Sequence, residues 1–216
     1  MKNLDLEKRL PVSKLVDISL SVGMVPDAKF HYKWHEYAKW QINAVKEIGL
    51  TPEHRLLDIG CGPLRFGMEA INYLEDGNYH GMDPYTPYIN LGKLLCDEAG
   101  LEKNYTVEQS ENFEFSLFKT KFDFAIAQSV FTHLSRSQVK TALSNLKEVM
   151  AKGGKFLFTN IDIKNAQGFL YGSYHPMLRG SGMNEEFYQK AADTMGVEVE
   201  FNCLSHPTQE VHLFKF

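Results

Sequence analysis

The sequence predicts an α/β fold in which a mostly parallel sheet carries helices on both faces. Short apolar runs without alternation, typical of strands buried on both faces, alternate with segments of helical periodicity through most of the chain. The last two strand candidates, residues 197–203 and 210–216, leave no room for a helix between them. Because a parallel crossover needs about a dozen residues, these strands should form an antiparallel hairpin at one edge of the sheet.

Strand and helix candidates account for most of the chain. The strand candidates are residues 55–59, 79–82, 105–108, 122–127, 155–159, 197–203 and 210–216. The helix candidates, each with apolar positions at helical spacing, are residues 32–48, 64–74, 88–99, 135–150 and 184–195. The fourth helix is the best marked, because Ser135 and Gln138 have capping-box spacing at its start and Gly153-Gly154 should close it.

Length and composition are those of one ordinary globular domain. The chain has 216 residues, of which 44% are hydrophobic and 23% are charged, and its net charge is -4. A chain of this length buries enough surface to fold without disulfides or a metal. The mildly negative net charge argues against a broad nucleic-acid-binding surface, which would need clustered positive charge. We expect a helical N-terminal lead-in over residues 1–31 and a single domain over residues 32–216.

Cysteine usage and the N-terminus indicate the compartment. The three cysteines are odd in number and contain no CxxC pair, a pattern typical of free thiols in a reducing compartment. No apolar run approaches the about 20 residues that span a bilayer, and the N-terminus mixes charges of both signs through its apolar positions. We therefore expect a cytoplasmic protein with no membrane partner. The eight histidines show no metal-binding spacing, so we expect no metal.

The residues with chemical potential begin after the first strand, at Asp58-x-Gly60-Cys61-Gly62. Two glycines between a buried strand and a helix let the backbone turn tightly and let a ligand approach the main chain. Ligands of open α/β sheets bind beyond the carboxyl ends of the strands. Asp83 ends the second strand about 20 residues later, where an acid can accept hydrogen bonds from both hydroxyls of a ribose. The sequence therefore predicts a ligand that carries a ribose.

The remainder of the loop narrows the ligand class. A nicotinamide fingerprint, GxGxxG, would place glycine at position 65, where this chain has Arg65. Asp58 would repel a pyrophosphate and attract an ammonium group. A ligand with a ribose at one end and an amino acid at the other is S-adenosylmethionine. A nicotinamide-binding domain is the alternative, disfavoured by Arg65 and by the lack of a separate substrate domain.

At these residues the chain resembles the class I S-adenosylmethionine-dependent methyltransferases. The resemblance covers about residues 53–160 and is carried by Asp58-x-Gly60-x-Gly62, Asp83, residues 122–129 and residues 146–158. More narrowly, the chain is similar to bacterial members of small-molecule and glycan pathways whose loop reads GCG-x-LR-x-G. The resemblance implies a Rossmann-like, seven-stranded, mostly parallel sheet with an antiparallel C-terminal edge strand. It also implies methyl transfer from S-adenosylmethionine, which leaves S-adenosylhomocysteine as product.

The resemblance implies cofactor-binding residues after four of the strands: Asp58, Gly60, Cys61, Gly62, Asp83, Asn112, Phe113 and Gln128. The first four would line the methionine end, the next would bind the ribose, the following pair would flank the adenine, and the last would lie under the cofactor. Many family members have a third glycine where this chain has Leu64. The adjacent Arg65 could face either the cofactor carboxylate or the substrate.

The candidate residues for binding the methyl acceptor each have a structural alternative. His133, after the fourth strand, could take a proton from a substrate hydroxyl, or it could cap or pack against the following helix. His175 and His206 are other candidate bases, with a solvated loop histidine as the alternative for each. Tyr174, His175 and Arg179 are candidate substrate contacts, the arginine through a bidentate bond to an anion. The aromatic-rich residues 31–40 could form a lid or a packed helix face.

The preferred functional hypothesis is methyl transfer to a small-molecule acceptor, a hydroxyl or amine of a sugar-linked or natural-product metabolite. Aromatic-rich flanks and the lack of a basic surface favour such an acceptor over nucleic acid. A nucleic-acid or protein methyltransferase is the first alternative, although residues 127–130 lack the Asn/Asp-Pro-Pro-Tyr of DNA amino-methylating relatives. A catalytically silent cofactor-binding subunit is the second. Whether the protein forms a homodimer is left open.

Overall fold

The computed structural model describes residues 3–24, 33–161 and 183–216. The chain divides into two compact units, Met1–Ser110 and Glu111–Phe216, called here the N-terminal unit and the C-terminal unit. The predicted domain boundary between residues 31 and 32 stays a prediction. No helix in the described ranges is both long and apolar enough to cross a lipid bilayer.

The N-terminal unit consists of a parallel three-stranded portion of the sheet and its helices. The strands are β1 (Leu56–Ile59), β2 (Tyr79–Asp83) and β3 (Thr106–Gln109), in the order β3-β2-β1. The helices are α1 (Leu6–Arg9), α2 (Val12–Ser21), α3 (Trp34–Glu47), α4 (Arg65–Tyr73) and α5 (Thr86–Ala99). Leu56 pairs with Tyr79, and His80 pairs with Thr106. Every residue of β1 and β2 is buried, as the apolar runs predict.

The described part of the lead-in packs into the core of the N-terminal unit. Leu6, Leu10 and Leu15 are buried. The backbone N–H of Leu4 donates to Oδ1 of Asn72 at 2.8 Å, and Nδ2 of Asn72 donates to the carbonyl of Leu4 at 2.9 Å. The hydrophobic periodicity of residues 1–31 is weak because α1 and α2 are only 4 and 10 residues long. Each helix buries about one position per turn.

The C-terminal unit contains both parallel and antiparallel strand pairs. Its strands are β4 (Phe122–Ala127), β5 (Met150–Asn160), β6 (Glu198–Glu200) and β7 (Glu210–Lys215), in the order β4-β5-β7-β6. Its helices are α6 (Arg136–Val149) and α7 (Glu185–Met195). The strand β4 is parallel to β5, whereas β7 is antiparallel to both β5 and β6. The C-terminal hairpin is therefore confirmed, with β6 as its outer strand and β7 inside it.

One predicted helix end is wrong. The helix α6 begins with the predicted capping box, since the N–H of Gln138 donates to Oγ of Ser135 and Oε1 of Gln138 accepts from the N–H of Ser135. It ends at Val149, however, and β5 follows directly. Gly153 and Gly154 form a bulge in β5, and both bond to the main chain of Phe216. A helix-capping glycine and a bulge glycine share the same positive φ, so sequence does not separate them.

The fold class is confirmed: within the described residues, seven strands form one mixed, mostly parallel sheet of Rossmann-like type. The C-terminal unit has a core rich in aromatic rings. Phe158 lies at its centre, with ring centroids of Tyr188, Phe214 and Phe156 at 4.8, 5.1 and 5.2 Å. Such pairs contribute about 0.5–1.5 kcal/mol each beyond their buried area, so the aromatic rings stabilise this unit.

Candidate functional site

The loop after β1 presents its main chain to open space. Gly60 and Gly62 have φ of 70° and 53°, in the left-handed region that favours glycine. The N–H groups of Gly60 and Cys61 both donate to the carbonyl of Met82, at 2.7 and 3.1 Å. A Cβ added at Gly62 would meet no described atom within 4 Å. A ligand can therefore approach the backbone at Gly62, as the sequence predicts.

The opposite side of the same loop is tightly packed. A Cβ on Gly81 of β2 would lie 3.0 Å from Sγ of Cys61. A Cβ on Gly92 of α5 would lie 2.8 Å from the main-chain carbon of Pro63 and 2.7 Å from Cγ of Leu64. These glycines let β2 and α5 support the loop from beneath. The Cys61 side chain is buried there, so any contact of Cys61 with a ligand would come from its main chain.

The carboxylate of Asp83 is fixed at the end of β2. Its Oδ2 accepts from the N–H of Gly62 at 2.9 Å, and its Oδ1 accepts from the N–H of Tyr85 at 2.8 Å. Burial raises the pKa of Asp83, while these two hydrogen bonds act in the opposite direction. An ionised carboxylate accepts about four hydrogen bonds, so both oxygens can still accept from ligand hydroxyls.

Asp58 is a second, more deeply buried carboxyl group under the loop. The hydroxyl of Tyr79 donates to its Oδ2 at 2.6 Å, and the residue is 4% exposed. Burial raises the pKa of Asp58 to about 7, and the Asp83 charge adds to this, while the Tyr79 hydrogen bond and the Arg65 charge lower it. A carboxyl group that is only partly ionised at neutral pH would gain from a ligand cation.

Arg65 brings a positive charge to the same loop. It is the first residue of α4, and its Cζ lies 5.2 Å from the ring centroid of Tyr37 on α3. Burial lowers the pKa of Arg65, and the Tyr37 and Asp58 groups raise it. The guanidinium still stays charged at neutral pH. Of the aromatic-rich segment, Trp34 is buried and Tyr37 contacts Arg65, while residues 31 and 32 lie outside the described ranges.

In the C-terminal unit, the two residues expected beside adenine lie on a constrained turn. Phe113 has a φ of 58°, which is unusual for a residue with a side chain. Nδ2 of Asn145 on α6 donates to the carbonyls of Asn112 and Phe113, at 3.3 and 3.0 Å. The helix α6 therefore determines the path of this turn. Contact of Asn112 and Phe113 with adenine stays a prediction.

Gln128 belongs to a polar cluster at the carboxyl ends of β4 and β5 that sequence patterns alone did not identify. Nε2 of Gln128 and Nε2 of Gln209 both donate to Oγ of Ser129, at 3.0 and 2.6 Å. The N–H of Ser129 donates to Oγ1 of Thr159 at 2.7 Å. Ser129 has a φ of 58°, a strained conformation that this cluster holds in place. The only sequence signal was the position of Ser129 and Thr159 at strand ends.

The candidate bases differ in their surroundings. His133 is exposed on a 3₁₀ turn, Phe131–His133, and helix α6 is capped by Ser135, so capping does not account for His133. Nδ1 of His206 accepts from the N–H groups of Thr208 and Gln209, both at 3.1 Å, which holds His206 in the hairpin loop. Burial lowers the pKa of His206.

Some predicted residues are not part of the described structure. Tyr174, His175 and Arg179 lie outside the described ranges, so their role as substrate contacts stays a prediction. Within the ranges that are described, no group of three or more histidine, cysteine, aspartate or glutamate side chains is arranged to hold a metal ion.

Comparisons with known proteins bear on the fold that carries this site. Residues 57–156 match the family described as "Methyltransferase domain". The magnesium protoporphyrin IX methyltransferase of Synechocystis PCC 6803, solved with bound SAH, superposes with a TM-score of 0.68 at 14% identity over 95% of each chain. A putative O-methyltransferase of Nostoc punctiforme PCC 73102 gives 0.65 at 15% identity, over 98% of this chain and 71% of that one. The N-methyltransferase NodS of Bradyrhizobium japonicum WM9 gives 0.56 at 15% identity, over 88% and 97%. At these identities the likeness shows a shared fold.

Proposed function

We propose that this chain, whose residues 57–156 match the methyltransferase domain family, transfers the methyl group of S-adenosylmethionine to a hydroxyl or amine of a small molecule. The observation that carries the proposal is the Asp83 carboxylate, tied to the N–H of Gly62 beside open space on the glycine loop. A fixed carboxylate with spare lone pairs suits the two donor hydroxyls of a ribose.

The N-terminal unit would bind the donor through four groups. Asp83 accepts from the ribose, and the glycine loop admits the methionine end against its main chain. Asp58 offers a negative charge to the ammonium group, and Arg65 offers a positive charge to the carboxylate. The bound sulfonium supplies an already activated methyl group. The protein therefore has mainly to hold donor and acceptor in line.

The C-terminal unit would supply the remaining functions, on the strength of the sequence resemblance. Asn112 and Phe113 flank the adenine, and Gln128 lies under the cofactor. His133 takes the proton when the acceptor is a hydroxyl. Tyr174, His175 and Arg179 contact the acceptor.

Support for a small acceptor comes from three directions. One structural relative is named for methylation of magnesium protoporphyrin IX, a small molecule. The net charge of -4 is unfavourable for binding nucleic acid broadly. The loop Gly60-Cys61-Gly62 is similar in sequence to that of small-molecule and glycan enzymes. We further expect a cytoplasmic protein with no metal, and we leave the homodimer open.

The test is a calorimetric titration of S-adenosylhomocysteine into wild type, Asp83→Asn and Asp76→Asn. Asp76 is a matched control, because it also accepts two hydrogen bonds, from Asn104 at 2.7 and 2.8 Å, but lies before β2 rather than at its carboxyl end. Since hydrogen bonds to a charged group contribute about 1.5–3 kcal/mol, Asp83→Asn should weaken binding by about 10- to 100-fold. Asp76→Asn should bind like wild type. Failure of the wild type to bind at millimolar ligand would overturn the proposal.

A second measurement separates the alternatives that share the fold. Product S-adenosylhomocysteine is measured after incubation of S-adenosylmethionine with a panel of small hydroxyl and amine acceptors. Turnover on a small acceptor that is insensitive to salt supports the proposal. Turnover only on nucleic acid or protein would favour that class of methyltransferase, and cofactor binding without any transfer would favour a silent subunit.

A further inference from the structure

The contact between Arg65 and Tyr37 joins a helix that precedes the sheet to the glycine loop. Tyr37 lies on α3, before β1, and Arg65 begins α4, directly after the loop. The guanidinium carbon is 5.2 Å from the ring centroid, within the about 6 Å at which a cation is attracted to an aromatic face. The α3 helix packs against α4, so the contact is supported by a larger interface.

Tyr37 is not part of the buried stripe that packs α3. Trp34 and Ala38 are each 1% exposed and Val45 is 0% exposed, so these residues bury the helix. Tyr37 lies at the edge of the stripe and is only half-buried. Its ring also receives Lys33 Nζ from the exposed side, 5.7 Å from the centroid. The position of Tyr37 is therefore better explained by the cation beside it than by core packing.

The charges around the loop match both ends of an amino acid. Asp58 is buried under the loop and Arg65 follows it, and the charge of each acts on the other. The methionine end of the proposed cofactor carries one ammonium and one carboxylate. A guanidinium can bind a carboxylate by two parallel hydrogen bonds, and less entropy is lost when its plane is already held in one orientation.

We propose that Tyr37 is a positioning residue, whose ring holds the Arg65 guanidinium so that it binds the carboxylate at the amino-acid end of the cofactor. This inference rests on the proposed function, because it needs a cofactor with an amino-acid end. The guanidinium carbon lies over the ring, 5.2 Å from its centroid. Loss of the ring would leave the charge in place but free the side chain to adopt other rotamers.

The test compares two ligands that differ only in the amino-acid end. S-adenosylhomocysteine carries it, and 5′-methylthioadenosine has a methyl group in its place. Calorimetry on Arg65→Met should show S-adenosylhomocysteine weakened about 10- to 100-fold, as expected for a charged bidentate contact, with 5′-methylthioadenosine unchanged. Tyr37→Leu should weaken S-adenosylhomocysteine about 3- to 10-fold, in line with a partly desolvated cation–π contact, and Tyr37→Phe should restore wild-type affinity.

The chain offers a matched control at the other end of the same two helices. Lys46 of α3 lies 4.6 Å from the ring centroid of Tyr73 on α4. Tyr73→Leu removes the same type of contact from the same interface and should leave the affinity ratio of the two ligands unchanged. If Tyr37→Leu does not fold, Tyr37→Met takes its place, and binding of 5′-methylthioadenosine reports that the remaining site is intact.

The outcomes separate this inference from the proposed function. Binding of neither ligand to wild type would overturn the proposed function and the inference together. Binding of S-adenosylhomocysteine with an unchanged ligand ratio in Tyr37→Leu would overturn only the inference, even if Arg65→Met is selective. A selective loss in both variants, with rescue by Tyr37→Phe, confirms that the ring acts through the guanidinium.

Discussion

The two compact units each bury an ionisable group, but in different surroundings. Asp58 in the N-terminal unit lies under the glycine loop, bonded to Tyr79 and within the field of Arg65 and Asp83. His212 in the C-terminal unit is 0% exposed and lies among aromatic rings. The ring centroids of Phe158, Phe201 and Tyr188 are 5.3, 5.3 and 5.8 Å from that of the imidazole.

This difference distinguishes a binding site from a packed core. Burial raises the pKa of Asp58 to about 7 and lowers the pKa of His212 to about 4. His212 is therefore neutral at neutral pH, and its 3.7 Å approach to Glu210 is not an ion pair there. Both pKa values are perturbed, yet only Asp58 lies under a loop whose backbone adjoins open space. A perturbed pKa indicates a site only when the surroundings can receive a ligand.

The largest expected effect concerns the pH dependence of stability, where the two groups act in opposite directions. Between about pH 4 and 7 the native state keeps a proton on Asp58 that the unfolded chain loses, so stability falls as pH rises. Between about pH 6.5 and 4, His212 binds a proton in the unfolded chain but stays neutral in the folded state. The free energy of unfolding therefore falls as pH falls through this range. The contribution of Asp58 is roughly 4 kcal/mol and that of His212 roughly 3 kcal/mol. Because they have opposite signs, they nearly cancel in wild type between about pH 4 and 7.

Urea unfolding at pH 4.5 and 7.5 should separate these contributions. Asp58→Asn should be more stable than wild type at pH 7.5, with the difference shrinking at pH 4.5. His212→Gln has no histidine that must stay unprotonated in the folded state. The free energy of unfolding of His212→Gln minus that of wild type should therefore be larger at pH 4.5 than at pH 7.5. Comparison with wild type at each pH cancels the contributions of groups that interact with neither residue, such as His80. If the free energy of unfolding changes equally with pH in wild type and in both variants, the two groups do not act in opposite directions.

The second prediction assigns donor binding and turnover to different residues. His133→Ala should lower turnover on a hydroxyl acceptor by about 100-fold, because proton transfer by a positioned base contributes that much, and should leave S-adenosylhomocysteine affinity unchanged. Steady-state kinetics and calorimetry measure the two effects. His54→Ala, at another loop histidine, is the control and should turn over like wild type. An equal loss of cofactor affinity in His133→Ala would show that His133 has been misplaced.

The smallest expected effect compares one glycine from each unit. Gly62 and Gly153 both have positive φ, 53° and 80°, and at either one an added Cβ would meet no atom of the described chain within 4 Å. Substitution by alanine should cost each about 1 kcal/mol of stability through the backbone alone. Only Gly62→Ala should also weaken S-adenosylhomocysteine, by about 10-fold or more, because its methyl group occupies ligand space.

Gly153→Ala is the control for Gly62→Ala. Thermal unfolding should show similar losses for Gly62→Ala and Gly153→Ala, and calorimetry should distinguish them. Equal cofactor affinity in both variants would mean that no ligand approaches the main chain at Gly62.

Sequence alone determined the features that depend on local periodicity and turn chemistry. The strand and helix alternation, the C-terminal hairpin, the Ser135 capping box and the loop with Asp83 beyond it all follow from patterns within a few residues. Where one local pattern has two structural outcomes, sequence was insufficient. Gly153-Gly154 is the example, because a helix cap and a strand bulge need the same backbone conformation.

The tertiary structure alone decided which side chains meet. Tyr79 and Asp58 are 21 residues apart, and Gln209 and Ser129 are 80 apart, so neither contact has a signature in sequence spacing. The contact of Tyr37 with Arg65 is of the same type, since it depends on how α3 packs against α4. Burial sets the pKa of Asp58 and of His212, and burial exists only after the chain has folded.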